Sequence, residues 1–426
     1  MKRVLAILLS TSMLTGCGLF TGKIPEEKLE VIESEVNTQM EVSEVTEFTP
    51  LEAVYTSEEI SGNFNAAFIK EALKNEDNVI VSPLSAKMVV NIAAMGADEG
   101  SATQQELFNL FGYESLNEMK GDSKNLMDEL NRKDGSLTLN NSYWKSDKLA
   151  KINKDYAEQL EAVFNAESFN ADLTSAAFVK KLNGWVDKNT NGLIPKLIEQ
   201  PLDEAARLVL VNTLYFNNEW KYKFESSSTR DRDFYGNKGT ETVPTMHQGM
   251  LNLQYGEGSK LKSVTMPYVD GSVMNIYLPK NENESIADII SELSIDKLTE
   301  ELEMKRAETK VNIVLPKFEC DYSGSLKEML QLLGVNKAFD PNNAEFGAMS
   351  EEEQLCISQI IQAAKIICDE EGTEAAAATM VVLKANGALI IEEQPIEFIA
   401  DRPFMYEIKS PSGETLFMGV IQNFSN

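Results

Sequence analysis

One histidine, His247, in 426 residues leaves almost no room for the most frequent general base in hydrolytic catalysis. A Ser-His-Asp or Cys-His hydrolase would have to use it, yet no Gly-x-Ser-x-Gly elbow or comparable nucleophile motif is there to pair with it. No phosphate-binding glycine loop, Cys-x-x-Cys pair or His-Glu-x-x-His run occurs either. The expectation is therefore a protein that is not an enzyme and needs no cofactor or metal. Cysteine is scarce as well, at Cys17, Cys320, Cys356 and Cys368. If Cys17 is lipidated, the remaining three cannot complete a disulfide framework within a monomer. They sit in apolar, strand-like stretches without ligand spacing and read as buried thiols. Positive charge is short too: 39 Lys and Arg stand against 67 Asp and Glu, a formal charge of −28. Such a surface repels nucleic acid and heparin-like polyanions and favours basic partners.

What is present begins at the N-terminus. Lys2 and Arg3 precede an apolar run from Val4 to Leu9, and Leu14-Thr15-Gly16-Cys17 follows, the layout of a secretory leader. The run is too short to span a bilayer. Leu-Thr-Gly-Cys resembles a bacterial lipoprotein cleavage box, in which Cys17 is lipidated and becomes the first residue of the mature chain; an ordinary leader or a coincidental cysteine is the plainer alternative. Residues 18–57 are dotted with Glu26, Glu27, Glu30, Glu33, Glu35, Glu41, Glu44 and Glu47 and carry few aromatics, which suits an acidic flexible tether. Residues 58–426 show no second linker, repeat or low-complexity break and read as one large folded domain. The expected location is the outer surface of a bacterial cell, with the membrane reached only through the lipid anchor.

Asp369-Glu-Glu-Gly-Thr-Glu-Ala-Ala-Ala-Ala-Thr379 suits two incompatible conformations. An alanine run led by Glu and Thr reads as a short helix. Its flanks, Ile366-Ile367-Cys368 and Met380-Val381-Val382-Leu383, are apolar and largely β-branched, as strands are. With a period of two, Thr373, Ala375, Ala377, Thr379, Val381 and Leu383 share one face that is small or apolar throughout, so the segment can lie exposed yet enter a sheet without burying a charge.

With Glu370-Glu371-Gly372-Thr373-Glu374 followed by Ala375, Ala376, Ala377 and Ala378, this stretch resembles the proximal hinge of the serpins. Asn78-Val-Ile-Val-Ser-Pro-Leu-Ser85, Gly96-Ala97 with Thr103 and Gln104, Leu208-Val-Leu-Val-Asn-Thr-Leu-Tyr-Phe216 with Trp220, Val243-Pro-Thr-Met246, Leu315-Pro-Lys-Phe318, Leu332-Leu-Gly334 and Asp401-Arg-Pro-Phe404 resemble the family's other signatures, in the family's order. The resemblance implies an α+β serpin fold with three β-sheets, about eight or nine helices, and an exposed reactive-centre loop at about 370–398. It also implies a monomeric inhibitor of serine endopeptidases, with papain-like cysteine endopeptidases as a further target class, that is attacked as a substrate. The loop is cleaved, the protease is acylated, the hinge inserts as a new strand of the main sheet, and a covalent 1:1 complex remains.

Counting from Gly372 as the resemblance implies places the scissile bond at Asn386-Gly387. Counting back from Asp401-Arg-Pro-Phe404 gives a position near Glu392, and Lys384 and Leu383 are rivals for trypsin-like and for chymotrypsin- or subtilisin-like targets. The proximal count is preferred because the length of inserted strand sets how far the protease travels, about 3.3 Å per residue. The resemblance further assigns Ser82, Ser85, Asn212 and Gln362 to a shutter beneath the main sheet, with Gln362 standing where the family has histidine, and Trp220, Lys317 and Glu370 to the breach at the sheet's top. Simple helix capping is the plainer reading of the two serines. Two competing functions remain on sequence alone: a non-inhibitory binding or chaperone-like serpin-fold protein, which the small-residue hinge argues against, and a solute-binding lipoprotein, which the hinge and Asp401-Arg-Pro-Phe404 contradict.

Overall fold

The computed structural model describes residues 48–75, 78–148, 151–351, 354–373 and 394–424. Within them the chain forms ten α-helices and sixteen strands. The strands fall into two hydrogen-bonded networks, one of nine and one of seven. The three sheets expected from the sequence become two networks because Gly239–Glu257 is a single 19-residue strand. It pairs with Arg230–Gly236 at one end, with Ala307–Pro316 along its length and with Leu261–Pro267 at the other, joining what shorter strands would leave separate.

The seven-stranded network is the main sheet. Its order is Glu167–Ala171, Leu137–Ser146, Leu208–Phe216, Gln359–Cys368, then the two-residue strands Gly372–Thr373 and Asn218–Glu219, with Phe318–Ser325 on the outer edge of Gln359–Cys368. Both central strands are apolar on both faces. Leu208, Leu210, Leu214 and Phe216 point into the large core while Val209 and Val211 meet a second cluster with Trp144, Phe178, Leu182 and Trp185. Ile360, Ala364 and Ile366 against Ile361 and Ala363 divide the same way. This is the period of two in a strand buried on both sides. Helix Ala176–Asn189 covers the second face, and helix Pro83–Gly96, capped by Ser82 with Pro83 at its first position, is buried against the first.

The boundary near residue 57 takes a particular form. Phe48 packs on the core, Leu51 N–H donates to Asn336 Oδ1 at 3.0 Å and Val54 N–H to the Leu332 carbonyl at 2.8 Å. The last ten residues of the segment read as a tether thus lie on the folded body, while residues 18–47, Cys17 and the leader are outside the described set.

Candidate functional site

Leu208–Phe216 and Gln359–Cys368 run parallel and pair directly only from Gln359↔Val209 to Ala363↔Thr213. Extending that register by six residues from Gln362↔Asn212 would bring Cys368 opposite Asn218. Instead, Thr373 stands between them: it is antiparallel partner to Cys368 on one side and to Asn218 on the other. The sheet is closed below Ala363 and Thr213 and parted at its top by Thr373.

The chain reaches that position through a tight reversal. Asp369 N–H donates to the Gly372 carbonyl at 3.0 Å, and Asp369 Oδ1 accepts from Glu371 N–H at 2.9 Å and Gly372 N–H at 3.3 Å. This is the local side-chain to backbone bonding for which Asp is favoured in turns. Gly372 is obligatory for space: a Cβ there would lie 2.1 Å from the Asn218 carbonyl oxygen, and backbone cannot yield as a side chain can. Beyond it Thr373 is 2% exposed, and its hydroxyl lies 2.6 Å from the hydroxyl of Tyr268.

Five residues hold the reversal from outside. Trp220, 1% exposed, donates its ring N–H to the Asp369 carbonyl at 2.9 Å and its backbone N–H to the Glu371 carbonyl at 2.8 Å; its ring stacks on Tyr268 at 4.3 Å and 12°. Phe224 N–H donates to the Glu370 carbonyl at 3.0 Å. Lys317 Nζ pairs with Glu370 Oε2 at 2.6 Å, and Thr229 Oγ1 donates to Glu370 Oε1 at 2.8 Å. Lys223 bridges Glu371 at 2.8 Å and Glu219 at 2.9 Å, which ties the hinge to the strand it enters beside. The structure thus brings Trp220, Lys317, Glu370, Glu371, Gly372 and Thr373 together. Glu374 and Ala375 to Ala378, and the bait candidates Leu383, Lys384, Asn386 and Gly387, lie outside the described residues. Lys223, Thr229 and Tyr268 belong to this cluster and carry no signal in the sequence, since each is more than a hundred positions from the residue it holds.

Burial alone would push the Glu370 carboxyl up, but the hydrogen bonds from Lys317 and Thr229 outweigh it and hold its pKa below the ordinary range. A depressed folded-state pKa stabilises the clamp above the unfolded value, about 4.3 for Glu, and that contribution is lost as pH falls through the lower folded value. Expected below about pH 4 is therefore faster proteolytic nicking at Asp369 to Thr373, with Glu370→Gln showing a flatter pH response over the same range.

The residues that the resemblance assigns to a shutter fall into two separate hydrogen-bonded groups. Gln362 grips the backbone of Ser82 at both ends, Ser82 N–H donating to Gln362 Oε1 at 3.0 Å and Gln362 Nε2 donating to the Ser82 carbonyl at 2.8 Å, while Ser82 Oγ accepts from Ser85 N–H at 3.1 Å. Asn212, register partner of Gln362, donates to Asn141 Oδ1 at 2.8 Å, and Asn141 donates to the Phe164 carbonyl at 3.0 Å. Asn141 was not legible in the sequence. Ser85 Oγ, Asn212 Oδ1, Thr213 Oγ1 and Asn218 Nδ2 are buried without a hydrogen-bond partner. Gln362→Ala orphans the Ser82 N–H, at about 1–3 kcal/mol, while the Ser82 carbonyl keeps its bond from Ala86 N–H at 3.1 Å. A fall in the thermal midpoint is expected, equal at pH 5.5 and 7.5 because neither partner titrates there.

Cys320 and Cys368 are buried and Cys356 is half-buried; none of the three is in a disulfide. Burial pushes the Cys356 and Cys368 thiols up, which leaves them protonated and poor ligands or nucleophiles. His247 is half-buried in the long strand, opposite Val314. No cluster of metal-ligating side chains occurs among the described residues.

Comparison with known proteins agrees with this architecture. The family model for serpins, described as serine protease inhibitors, matches residues 59–424. Antichymotrypsin-2 of Bombyx mori is 31% identical over 365 residues, covering 84% of this chain and 96% of its own. Among solved structures, Serpin48 of Tenebrio molitor superposes with a TM-score of 0.75 at 29% identity, covering 87% of this chain and 98% of its own. The native-state structure of the thermophilic serpin tengpin superposes equally well, at 0.75 and 26% identity, covering 88% and 97%. With a hinge already seated in a parted sheet, and with family likeness over nearly all of the folded chain, the protein belongs to the serpin family.

Proposed function

We propose that this chain inhibits an endopeptidase of the serine class by acting as its suicide substrate. The observation that carries the reading is the position of Thr373 between Cys368 and Asn218, with the sheet paired only below it. The protease nucleophile attacks a loop carbonyl beyond Thr373, the peptide bond breaks, the loop's new amino end departs, and the protease is held as an ester on the new carboxyl end. Continuing the register downward, Glu374 would lie between Ile367 and Asn217, Ala375 between Ile366 and Phe216, and Ala377 between Ala364 and Leu214. Ala378 then meets the closed pair Ala363 and Thr213, where the sheet must part further. Each ladder bond gained contributes about 1 kcal/mol net, and buried polar atoms now without partners, such as Asn212 Oδ1 and Thr213 Oγ1, lie along the same path. The ester travels with the strand, and a displaced protease active site cannot complete deacylation.

The bait is Asn386 by the hinge count, with Lys384 and Leu383 as alternatives. Lipidation at Cys17 and the acidic tether would place the inhibitor at a bacterial cell surface, where it would protect the envelope from external proteases. Incubation with a panel of trypsin-like, chymotrypsin-like and subtilisin-like enzymes, followed by denaturing electrophoresis and the mass of the released C-terminal peptide, tests the reading. A stable 1:1 complex is expected with an active protease and none with the same protease inactivated at its nucleophile. Cleavage without a complex by every protease tested would instead favour a non-inhibitory binding protein.

A further inference from the structure

Tyr268 is 1% exposed, stacked on Trp220 at 4.3 Å and set edge-on to Phe216 at 5.1 Å and 80°. Its ring is therefore fixed on two sides, and its hydroxyl meets one partner, Thr373 Oγ1, at 2.6 Å. The hinge sequence itself specifies register poorly. A slip of one residue would turn Glu374 into the core and is excluded by its charge. A slip of two keeps the faces correct and replaces Thr373 by Ala375, another small residue, and a slip of four brings in Ala377; the alanine stripe accepts each on this face, although Glu374 or Ala376 then brings a Cβ to the crowded place beside the Asn218 carbonyl that Gly372 occupies. A buried phenol does not accept them. Opposite Ala375 or Ala377 its hydroxyl has no partner, and opposite Gly372 it has none either, so among slips of up to four residues only the observed register satisfies it.

We propose that Tyr268 is a positioning residue that sets the register in which the hinge enters the sheet, an inference that rests on the insertion mechanism above. The hydrogen bond forms before cleavage and persists afterwards, so it adds nothing to the driving force of insertion. Its effect is to fix where the acylated end of the strand arrives, and an end delivered two residues short leaves the protease less displaced by roughly 7 Å.

Register can be read directly on the outward face of the sheet. In the observed register residues whose numbers sum to 741, as Cys368 and Thr373 do, stand opposite one another, which pairs Lys365 with Ala376; a two-residue slip pairs Lys365 with Ala378. The loop of each double-cysteine variant is opened with a subtilisin-class protease, and closure is scored under diamide. Lys365→Cys with Ala376→Cys is expected to close at least about 10-fold faster than Lys365→Cys with Ala378→Cys. Adding Tyr268→Phe, which keeps both ring contacts, should bring the two within about twofold, and Thr373→Val should do the same while Thr373→Ser should not. In trapping assays Tyr268→Phe should raise the moles of inhibitor consumed per protease trapped by about 3- to 10-fold with the association rate unchanged. In Tyr268→Phe with Thr373→Val the thermal midpoint should recover, because no hydroxyl is left unpaired, while the stoichiometry should not. An unchanged closure ratio in Tyr268→Phe, or recovery of midpoint and stoichiometry together in the double variant, overturns the assignment. Failure of both cysteine pairs to close in the otherwise unaltered chain overturns strand insertion itself, and the assignment with it.

Discussion

Thr373→Arg is expected to convert the proposed inhibitor into a plain substrate. The side chain at this position is enclosed by Tyr268 and the flanking strands, and its hydroxyl is paired with the Tyr268 hydroxyl rather than with a carboxylate. A guanidinium there is buried unpaired, which costs several kcal/mol, or it drags the hinge out of the sheet. Either outcome delays entry of the strand, and every 1.4 kcal/mol added to that step is about a factor of ten in rate. Deacylation then wins, so the protease should cleave the loop and leave free. The measurement is the ratio of inhibitor consumed to protease trapped, expected to rise by at least about tenfold while the rate of loop cleavage stays within about twofold. Persistence of stable complexes at the original stoichiometry would remove the hinge from the mechanism.

Trp220→Ala should produce the largest loss of stability. The indole is fully buried, stacks on Tyr268, and through its ring N–H supplies one of the bonds that hold the Asp369–Gly372 reversal. Removing such a side chain typically costs about 3–5 kcal/mol. For a folded region of this length, with about 2.1 cal/mol/K of unfolding entropy per residue, that lowers the thermal midpoint by about 4–7 °C. Trp220→Phe keeps most of the stack and loses the ring N–H, so its cost should be nearer 1 kcal/mol. The variants should also separate in protease sensitivity: nicking at Asp369 to Thr373 should rise sharply in Trp220→Ala and little in Trp220→Phe. Equal midpoints for the two would mean that the hydrogen bond, not the ring, secures the breach.

The sequence made the fold legible because its signatures are local runs whose spacing survives without coordinates. Leu208–Phe216 stands out as one such signature, and the small, alternating face from Thr373 announces a strand held back as a loop. The pairings between distant elements were not legible. Thr373 and Tyr268 are 105 residues apart, Glu371 and Lys223 are 148 apart, and Asn212 and Asn141 are 71 apart. Nothing in the local pattern of a tyrosine after Met266-Pro267 says that its hydroxyl ends beside a hinge. The replacement of histidine by Gln362 was visible, but its consequence required the geometry: one amide satisfies both backbone groups of Ser82, and the contact contains no titratable group. The number of hydrogen-bonded sheets also depended on something no motif records, the continuity of Gly239–Glu257.

The central claim is that the sheet is poised to accept the hinge and becomes more stable when it does. It is tested most directly by opening the loop between residues 374 and 393 with a protease the protein does not trap, then comparing thermal unfolding of intact and cleaved chains. About ten inserted residues bonded on both sides at about 1 kcal/mol per bond amount to a large gain, so the cleaved form should unfold tens of degrees higher or resist unfolding up to boiling. An unchanged or lowered midpoint after clean cleavage would contradict the account.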